Sequence, residues 1–318
     1  MTHYDVFNGD ADGICALHQL RLVHPVDSVL VSGPKRDIAL LERVPAQPGD
    51  ALTVLDVSLA VNRIALLRLL DRGVRVEYFD HHFTGELPSH PQLSVVIDTS
   101  PEVCTAILVD RYLNGRQRIW AVVGAFGDNL TAEARVLARS LALDEAQLAA
   151  LQELGENLAY NGYGDAIEDL IVAPDLLYRA VHRHDDPFDL IRDEPILRSI
   201  GESRRDDLER ARGCMPEIAL PGSAVFILPE ANWSRRVRGV FANELARESP
   251  RRAHAILTPD SLGGYNVSVR APLERRTGAD ALCRRFPSGN GRAAAAGINH
   301  LPAERVAAFT AALREAYP

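Results

Sequence analysis

Residues 8–13 read Asn8-Gly9-Asp10-Ala11-Asp12-Gly13, two carboxylates one residue apart between glycines, directly after the run Tyr4-Asp5-Val6-Phe7. More groups of the same kind follow: Asp56 within Val54–Ser58, Asp80-His81-His82 after Val74–Phe79, and Asp128 at the end of the apolar run from Trp120. Three chemistries compete for the first cluster. A calcium loop would use Asn8, Asp10 and Asp12 at positions 1, 3 and 5, but its twelfth position is Gln19, which offers no bidentate carboxylate. Only seven residues precede Asn8, too few for the incoming helix of such a loop. An aspartyl-phosphate phosphatase would use Asp10 as nucleophile and a basic residue, usually lysine, near the phosphoryl group. The chain's single lysine, Lys35, is in a poor place for that role. The third chemistry is a cation cluster for phosphate-ester hydrolysis, and it needs the later carboxylates and histidines. Each aspartate alone reads as an ordinary cap or strand terminator. Together, Asp10, Asp12, Asp56, Asp80 and Asp128 with His81 and His82 suit two divalent ions. Adjacent histidines point in different directions, so one can bind metal while the other reaches a substrate oxygen.

Such groups converge only if the elements carrying them end side by side. Residues 4–7, 28–33, 51–57, 74–80 and 93–99 are strand candidates, with helical spacing over 13–23 and 61–72 and a stop at Gly73. Continuous apolar strands alternating with helices give an α/β fold with a mostly parallel sheet covered on both faces. In that architecture ligands collect at the carboxyl ends of the strands, and the run ending on Asp128 counts among the strand candidates. Helices dominate from Pro101 to about Ile200, with Pro187 and Pro195 marking looser connections. Residues 222–229 then read as a strand, 236–247 as a helix, and 254–260 with 265–271 as a hairpin turning at Gly263-Gly264. Two helices follow, near 279–286 and 303–316, in a smaller α/β domain. The expected division is 1–190 with a helical connection, then 200–318.

The 318 residues carry a net charge of −8, divided unevenly. Residues 1–200 have 17 basic and 30 acidic side chains, whereas 201–318 have 18 and 13. An acidic half can hold cations and a basic half a polyanion, while the overall acidity argues against long duplex DNA as a partner. No apolar run reaches the roughly 18 residues of a membrane span, no signal-peptide pattern opens the chain, and the four cysteines show no CxxC spacing. A cytoplasmic protein with reduced thiols and no membrane partner is expected.

The motifs in this order and spacing resemble the DHH phosphoesterase superfamily, which includes RecJ-like exonucleases, oligoribonucleases and family II pyrophosphatases. Asn8–Gly13 matches its first motif, Asp56 the second, Asp80-His81-His82 the third and Asp128 the fourth. The C-terminal part resembles the associated DHHA1 substrate domain. Its glycine motif falls on Gly289-Asn290-Gly291-Arg292 through Gly297, and its basic strand on Asn266–Pro272 with Ser268 and Arg270. Glycines there would let backbone N–H groups approach an anion, with a following helix N-terminus adding its dipole. The resemblance implies two ions, Mn²⁺ first and Mg²⁺ or Co²⁺ as alternatives. Asp56 would bridge them, Asp12, His81 and Asp128 would complete one site, and Asp10 would serve the other. Asp80 would orient its neighbours and His82 would face the transition-state charge. The family's usual histidine four residues before the first motif aspartate is Val6 here, with Asn8 as an auxiliary donor, and its glycine-motif histidine is Arg292.

The implied activity is hydrolysis of short phosphorylated nucleotides, such as pGpG and nanoRNA, to mononucleotides. Arg270, Arg292, Ser268, Gly289, Asn290 and Gly291 would hold substrate in a cleft facing the metals. Alternatives are a phosphatase on pAp, a RecJ-like exonuclease on single strands, or a nucleotide-binding sensor with a degenerate metal site; a homodimer is among the allowed assemblies. His182, His184, Asp185 and Asp186 mimic a metal site but match no motif and read as an interdomain contact. Tyr160, Asn161 and Tyr163 either line the cleft or form a turn.

Overall fold

A computed structural model describes residues 1–318. The chain divides into two units, Met1–Glu202 and Ser203–Pro318, the division falling inside one helix.

The first unit opens with β1 (His3–Asn8), α1 (Ala11–Val23), β2 (Val29–Gly33), β3 (Ala51–Leu55), α2 (Leu59–Asp71), β4 (Arg75–Asp80) and β5 (Leu93–Ile97). All five strands are parallel, in the order β2-β1-β3-β4-β5, as the alternation of apolar runs and helices implied. Side chains alternate across β1. Tyr4 and Val6 enter an apolar core with Leu41, Val54, Leu66 and Tyr78 on the α2 side. Asp5 and Phe7 face the other way, Asp5 toward Arg21 of α1 and Phe7 against Tyr178, with ring centroids 5.3 Å apart. Because β2 and β3 flank β1 on opposite sides, the chain reverses direction across the sheet at β1/β3, where an open parallel sheet leaves a crevice at its carboxyl edge.

Seven helices follow: α3 (Thr105–Tyr112), α4 (Arg118–Gly127), α5 (Thr131–Ala138), α6 (Glu145–Asn161), α7 (Pro174–Val181), α8 (Pro187–Asp193) and α9 (Pro195–Arg212). The apolar run ending on Asp128 is therefore helix α4 and not a strand. Trp120 to Gly127 are all buried, with α1, α3 and α6 packed around them, and an apolar run buried on every side has no periodicity to separate the two states. Close packing fixes α4 on α1, since a Cβ at Gly127 would lie 2.2 Å from that of Ala11. Pro187 and Pro195 open helices, a position suited to a residue with no N–H to donate.

The second unit contains β6 (Ile218–Ala219), β7 (Ser223–Ile227), α10 (Asn232–Glu248), β8 (Ala253–Pro259), β9 (Gly264–Arg270), α11 (Ala279–Cys283), β10 (Gly289–Arg292), β11 (Ala295–Pro302) and α12 (Val306–Ala316). Its mixed sheet runs β10-β11-β9-β8-β7-β6. One face carries Ala255, Leu257, Val267, Val269, Ala296 and Ile298 into a core closed by α11 and α12. No helix of either unit is long and apolar enough to cross a membrane, and the four cysteines are unpaired.

A buried ion pair pins α1 to β1. Arg21 Nε donates to Asp5 Oδ2 at 2.8 Å and a second guanidinium nitrogen to Asp5 Oδ1, while Ser28 Oγ adds a bond of 2.6 Å. Burial pushes the Asp5 carboxyl up, but the bonds from Arg21 outweigh it and hold Asp5 below its usual range. Removing one partner of such a pair strands a buried charge, so Arg21→Leu is expected to cost about 3–5 kcal/mol of unfolding free energy. Urea denaturation checks this, and a loss below about 1 kcal/mol, typical of an exposed pair, contradicts it.

Candidate metal centre

The first-motif loop is shaped by its own backbone. Asp10 caps α1, its Oδ1 accepting the N–H of Asp12 at 3.1 Å and of Gly13 at 3.3 Å. A side chain at Gly13 would run into Asn8 O, 2.2 Å from an added Cβ. Asp12 turns toward α3, where Oδ2 accepts the N–H of Thr105 at 2.8 Å and Oδ1 that of Ala106 at 2.7 Å. A carboxylate at a helix N-terminus satisfies orphan donors and meets the positive end of the dipole. Asp56 follows β3 in the left-handed region at φ 58°, a cost of roughly 1–3 kcal/mol that persists where the surroundings over-determine it. Thr105 Oγ1 donates to Asp56 Oδ1 at 3.4 Å.

The histidines come from the end of β4. Asp80 is fully buried; its Oδ1 takes the N–H of His81 at 2.9 Å and of His82 at 3.2 Å, and His82 Nδ1 at 2.7 Å. His81 Nδ1 lies 2.9 Å from Val103 O. A carbonyl only accepts, so in the neutral ring Nδ1 carries the proton and Nε2 keeps its lone pair. That Nε2 faces Asp56 at 3.5 Å, Asp12 at 3.9 Å and Asp128 at 4.0 Å. The donor atoms of Asp12, His81 and Asp128 lie within 4.8 Å of one another, as do those of Asp56, His81 and His82. Oxygen donors around one imidazole lone pair suit a hard-to-borderline divalent ion.

The electrostatics ask for a cation. Burial, then the charges of Asp12 and Asp10, push the Asp56 carboxyl well above the usual range, and burial also raises Asp128. Lys35 relieves part of this repulsion. Its Nζ lies 2.5 Å from Asp10 Oδ2 and 3.4 Å from Asp128 Oδ1, so the expectation that Lys35 is poorly placed to assist Asp10 is corrected. Its strand, β2, ends beside β1, which delivers Gly33-Pro34-Lys35 to the same edge. The aspartyl-phosphate reading does not return with it, because the cluster turns on the imidazole of His81. Around Asp10, where a second ion is expected, Val6 lies in the apolar core and Asn8 Oδ1 accepts the Asp10 N–H at 3.3 Å.

Thr105 and Lys35 were not singled out as site residues from sequence. Their signals were a threonine opening a helix and a lone lysine after a strand. The His182–Asp186 cluster makes packing contacts within the first unit. His18 lies 3.1 Å from His182 Nδ1 and 3.0 Å from His184 O, Trp120 Nε1 donates to Asp185 O at 2.8 Å, and Asp186 caps α8. Tyr160 is buried and Asn161 brackets Val172, whereas the Tyr163 ring lies 6.0 Å from Lys35 Nζ.

In the second unit, strand register places the expected phosphate-binding residues together. Ser268 pairs with Gly297 and Gly297 with Asn290; Arg270 pairs with Ala295 and Ala295 with Arg292. Paired residues share a face, so Arg270 and Arg292 flank a small alanine across three strands. Arg270 is braced by Asn243 Oδ1 at 2.5 Å and Ser268 Oγ at 3.0 Å. The glycine motif is the β10–β11 hairpin, and the expected helix N-terminus does not follow it directly: the next α-helix starts only at Val306. Gly291, at φ 141°, lets β10 close on β11, since a Cβ there would sit 2.4 Å from Ala296 Cα.

Burial and the charges of Asp12 and Asp10 raise the Asp56 carboxyl, so a cation and a proton compete for it. Binding of Mn²⁺ is therefore expected to release protons and to tighten as pH rises toward that raised value. Calorimetry in buffers of different ionisation heat measures this; an affinity that falls as pH rises contradicts it. Burial lowers His82, but its bond to Asp80 more than compensates, so its ring titrates above the usual 6.5. The stability this adds is complete below 6.5 and is lost as pH rises through the raised value. In chelator-treated protein, Asp80→Asn should bring the His82 NMR midpoint down, and an unchanged midpoint would contradict the assignment.

No family model and no curated protein matches the sequence. Among solved structures the chain is similar to the exonuclease RecJ bound to manganese, with a TM-score of 0.65 and 18% identity over 99% of this chain and 90% of that one. RecJ from Thermus thermophilus in complex with Mn²⁺ gives 0.59 and 18%, covering 99% of this chain and 51% of that one. The pGpG-specific phosphodiesterase PggH from Vibrio cholerae gives 0.57 and 14%, covering 99% of each chain. The two-unit α/β architecture with its parallel N-terminal sheet is thus the fold of RecJ and PggH.

Proposed function

We propose that the chain is a metal-dependent phosphodiesterase that cuts short 5′-phosphorylated nucleotides, dinucleotides above all, into mononucleotides. The observation that carries this reading is His81 Nε2 facing Asp12, Asp56 and Asp128 within 4.0 Å, with His82 fixed beside it by Asp80. Its support from fold is the likeness to PggH, whose length this chain matches, and to manganese-bound RecJ. Mn²⁺, with Mg²⁺ or Co²⁺ as alternatives, would be held by Asp12, Asp56, His81 and Asp128. A divalent ion there supplies Lewis-acid polarisation of the phosphoryl group and lowers the pKa of a water.

The protein's own residues supply the rest. With Nδ1 committed to Asp80, the half-exposed His82 ring turns Nε2–H outward as a donor toward charge growing on a phosphoryl oxygen. Asp80 fixes that orientation and favours the protonated ring. Arg270, preset by Asn243 and Ser268, and Arg292 on the same sheet face would take another phosphate of the substrate, where a guanidinium fork binds two oxygens. The chain's unpaired thiols suit a reducing compartment, and the cytoplasm is the proposed location.

Purified protein with Mn²⁺ should release mononucleotide from a 5′-phosphorylated dinucleotide, with rates falling from two to ten nucleotides and pAp as comparison. His82→Ala should lower kcat by about 10²–10³-fold while Mn²⁺ binding persists. Binding of the dinucleotide without cleavage would replace this reading by a nucleotide sensor, and preference for pAp by a phosphatase.

A further inference from the structure

We propose that the centre holds one divalent ion, and that the ammonium group of Lys35 stands beside Asp10 as its second cation. This rests on the metal-dependent reading above and deepens it. Both groups of side chains able to hold an ion are built on His81, and neither includes Asp10. Asp10 is already committed, with Oδ1 taking two backbone N–H groups and Oδ2 taking Lys35 at 2.5 Å. On β1, the position of Val6 brings no donor to an ion there. Val6 is wholly buried among apolar side chains, and the Asn8 amide oxygen is engaged by the Asp10 N–H.

Lys35 is held as a fixed part of the site. Its backbone N–H donates to Gly162 O at 2.8 Å, and its Nζ reaches Asp10, Asp128 and the Tyr163 ring. Of the 35 basic residues it is the single lysine. An ammonium is a compact point charge with three donors, closer in size and geometry to a metal ion than a guanidinium is. The charge count agrees. Four carboxylates from Asp10, Asp12, Asp56 and Asp128 against one divalent ion and one ammonium leave a single negative charge. With two of the ammonium's donors on Asp10 and Asp128, the third is free to meet a phosphoryl oxygen as negative charge develops on it. Lys35 is thereby a catalytic residue of the proposed hydrolysis, and no proton need leave it.

The full chain, stripped with chelator and titrated with Mn²⁺, decides this by metal analysis and electron paramagnetic resonance. One ion per chain with an uncoupled six-line spectrum is expected. Lys35→Met should retain that stoichiometry while kcat falls by about 10²–10³-fold, and methylamine should restore part of the rate to Lys35→Ala. Two ions per chain with an exchange-coupled spectrum would overturn the inference and leave the hydrolase reading standing. No bound Mn²⁺ would overturn the metal-dependent reading itself and this inference with it. Lys35→Met at the wild-type rate, with a normal melting temperature, would remove Lys35 from the chemistry.

Discussion

The constraint on which the first unit depends is like-charge crowding. Asp10, Asp12 and Asp56 are each at most 3% exposed, and Asp128 joins them at the rim. Isolated buried carboxylates cost several kcal/mol each unless paired. The fold answers with every kind of compensation available to it. Backbone amides of α1 and α3 take Asp10 and Asp12, Lys35 takes Asp10 and Asp128, and His81 turns a lone pair into the remaining space. What is left uncompensated, centred on Asp56, is the place for a cation.

That arrangement needs the parallel sheet. Strands β1, β3 and β4 lie side by side, so the loops following them open at one edge. Helices α3 and α4 add Thr105 at an N-terminus and Asp128 at a C-terminus. These ends meet because α4 packs tightly on α1, as the lack of room at Gly127 shows. The Arg21–Asp5 pair fixes α1 from the other end. The core and the site are thus one construction, and the site's precision is a packing property of the helices.

Much of this was legible in the sequence. The five strands and two helices of the parallel sheet followed from periodicity because burial on both faces leaves long apolar runs. The motif aspartates and histidines stood at the ends of these elements, and the structure brings them together. What was not legible depended on tertiary placement. Asp128 closes a helix because Trp120–Gly127 are buried on all sides. Lys35 arrives at Asp10 only through the order of β2 beside β1, which no local pattern encodes. The Gly289–Gly297 stretch is a hairpin because β11 pairs with β9, and alanines and glycines carry no strand signal of their own. His182 and His184 pair with His18 across the sequence, so a cluster that looked like ligands is packing.

The central claim is that carboxylates and His81 at one sheet edge make a cation site. Anomalous diffraction at the manganese edge, from crystals of the chain grown with Mn²⁺, tests it most directly. The account predicts one anomalous peak bounded by Asp12, Asp56, His81 and Asp128, with Lys35 still on Asp10. No peak there, or a peak at Asp10 with Lys35 displaced, would contradict it.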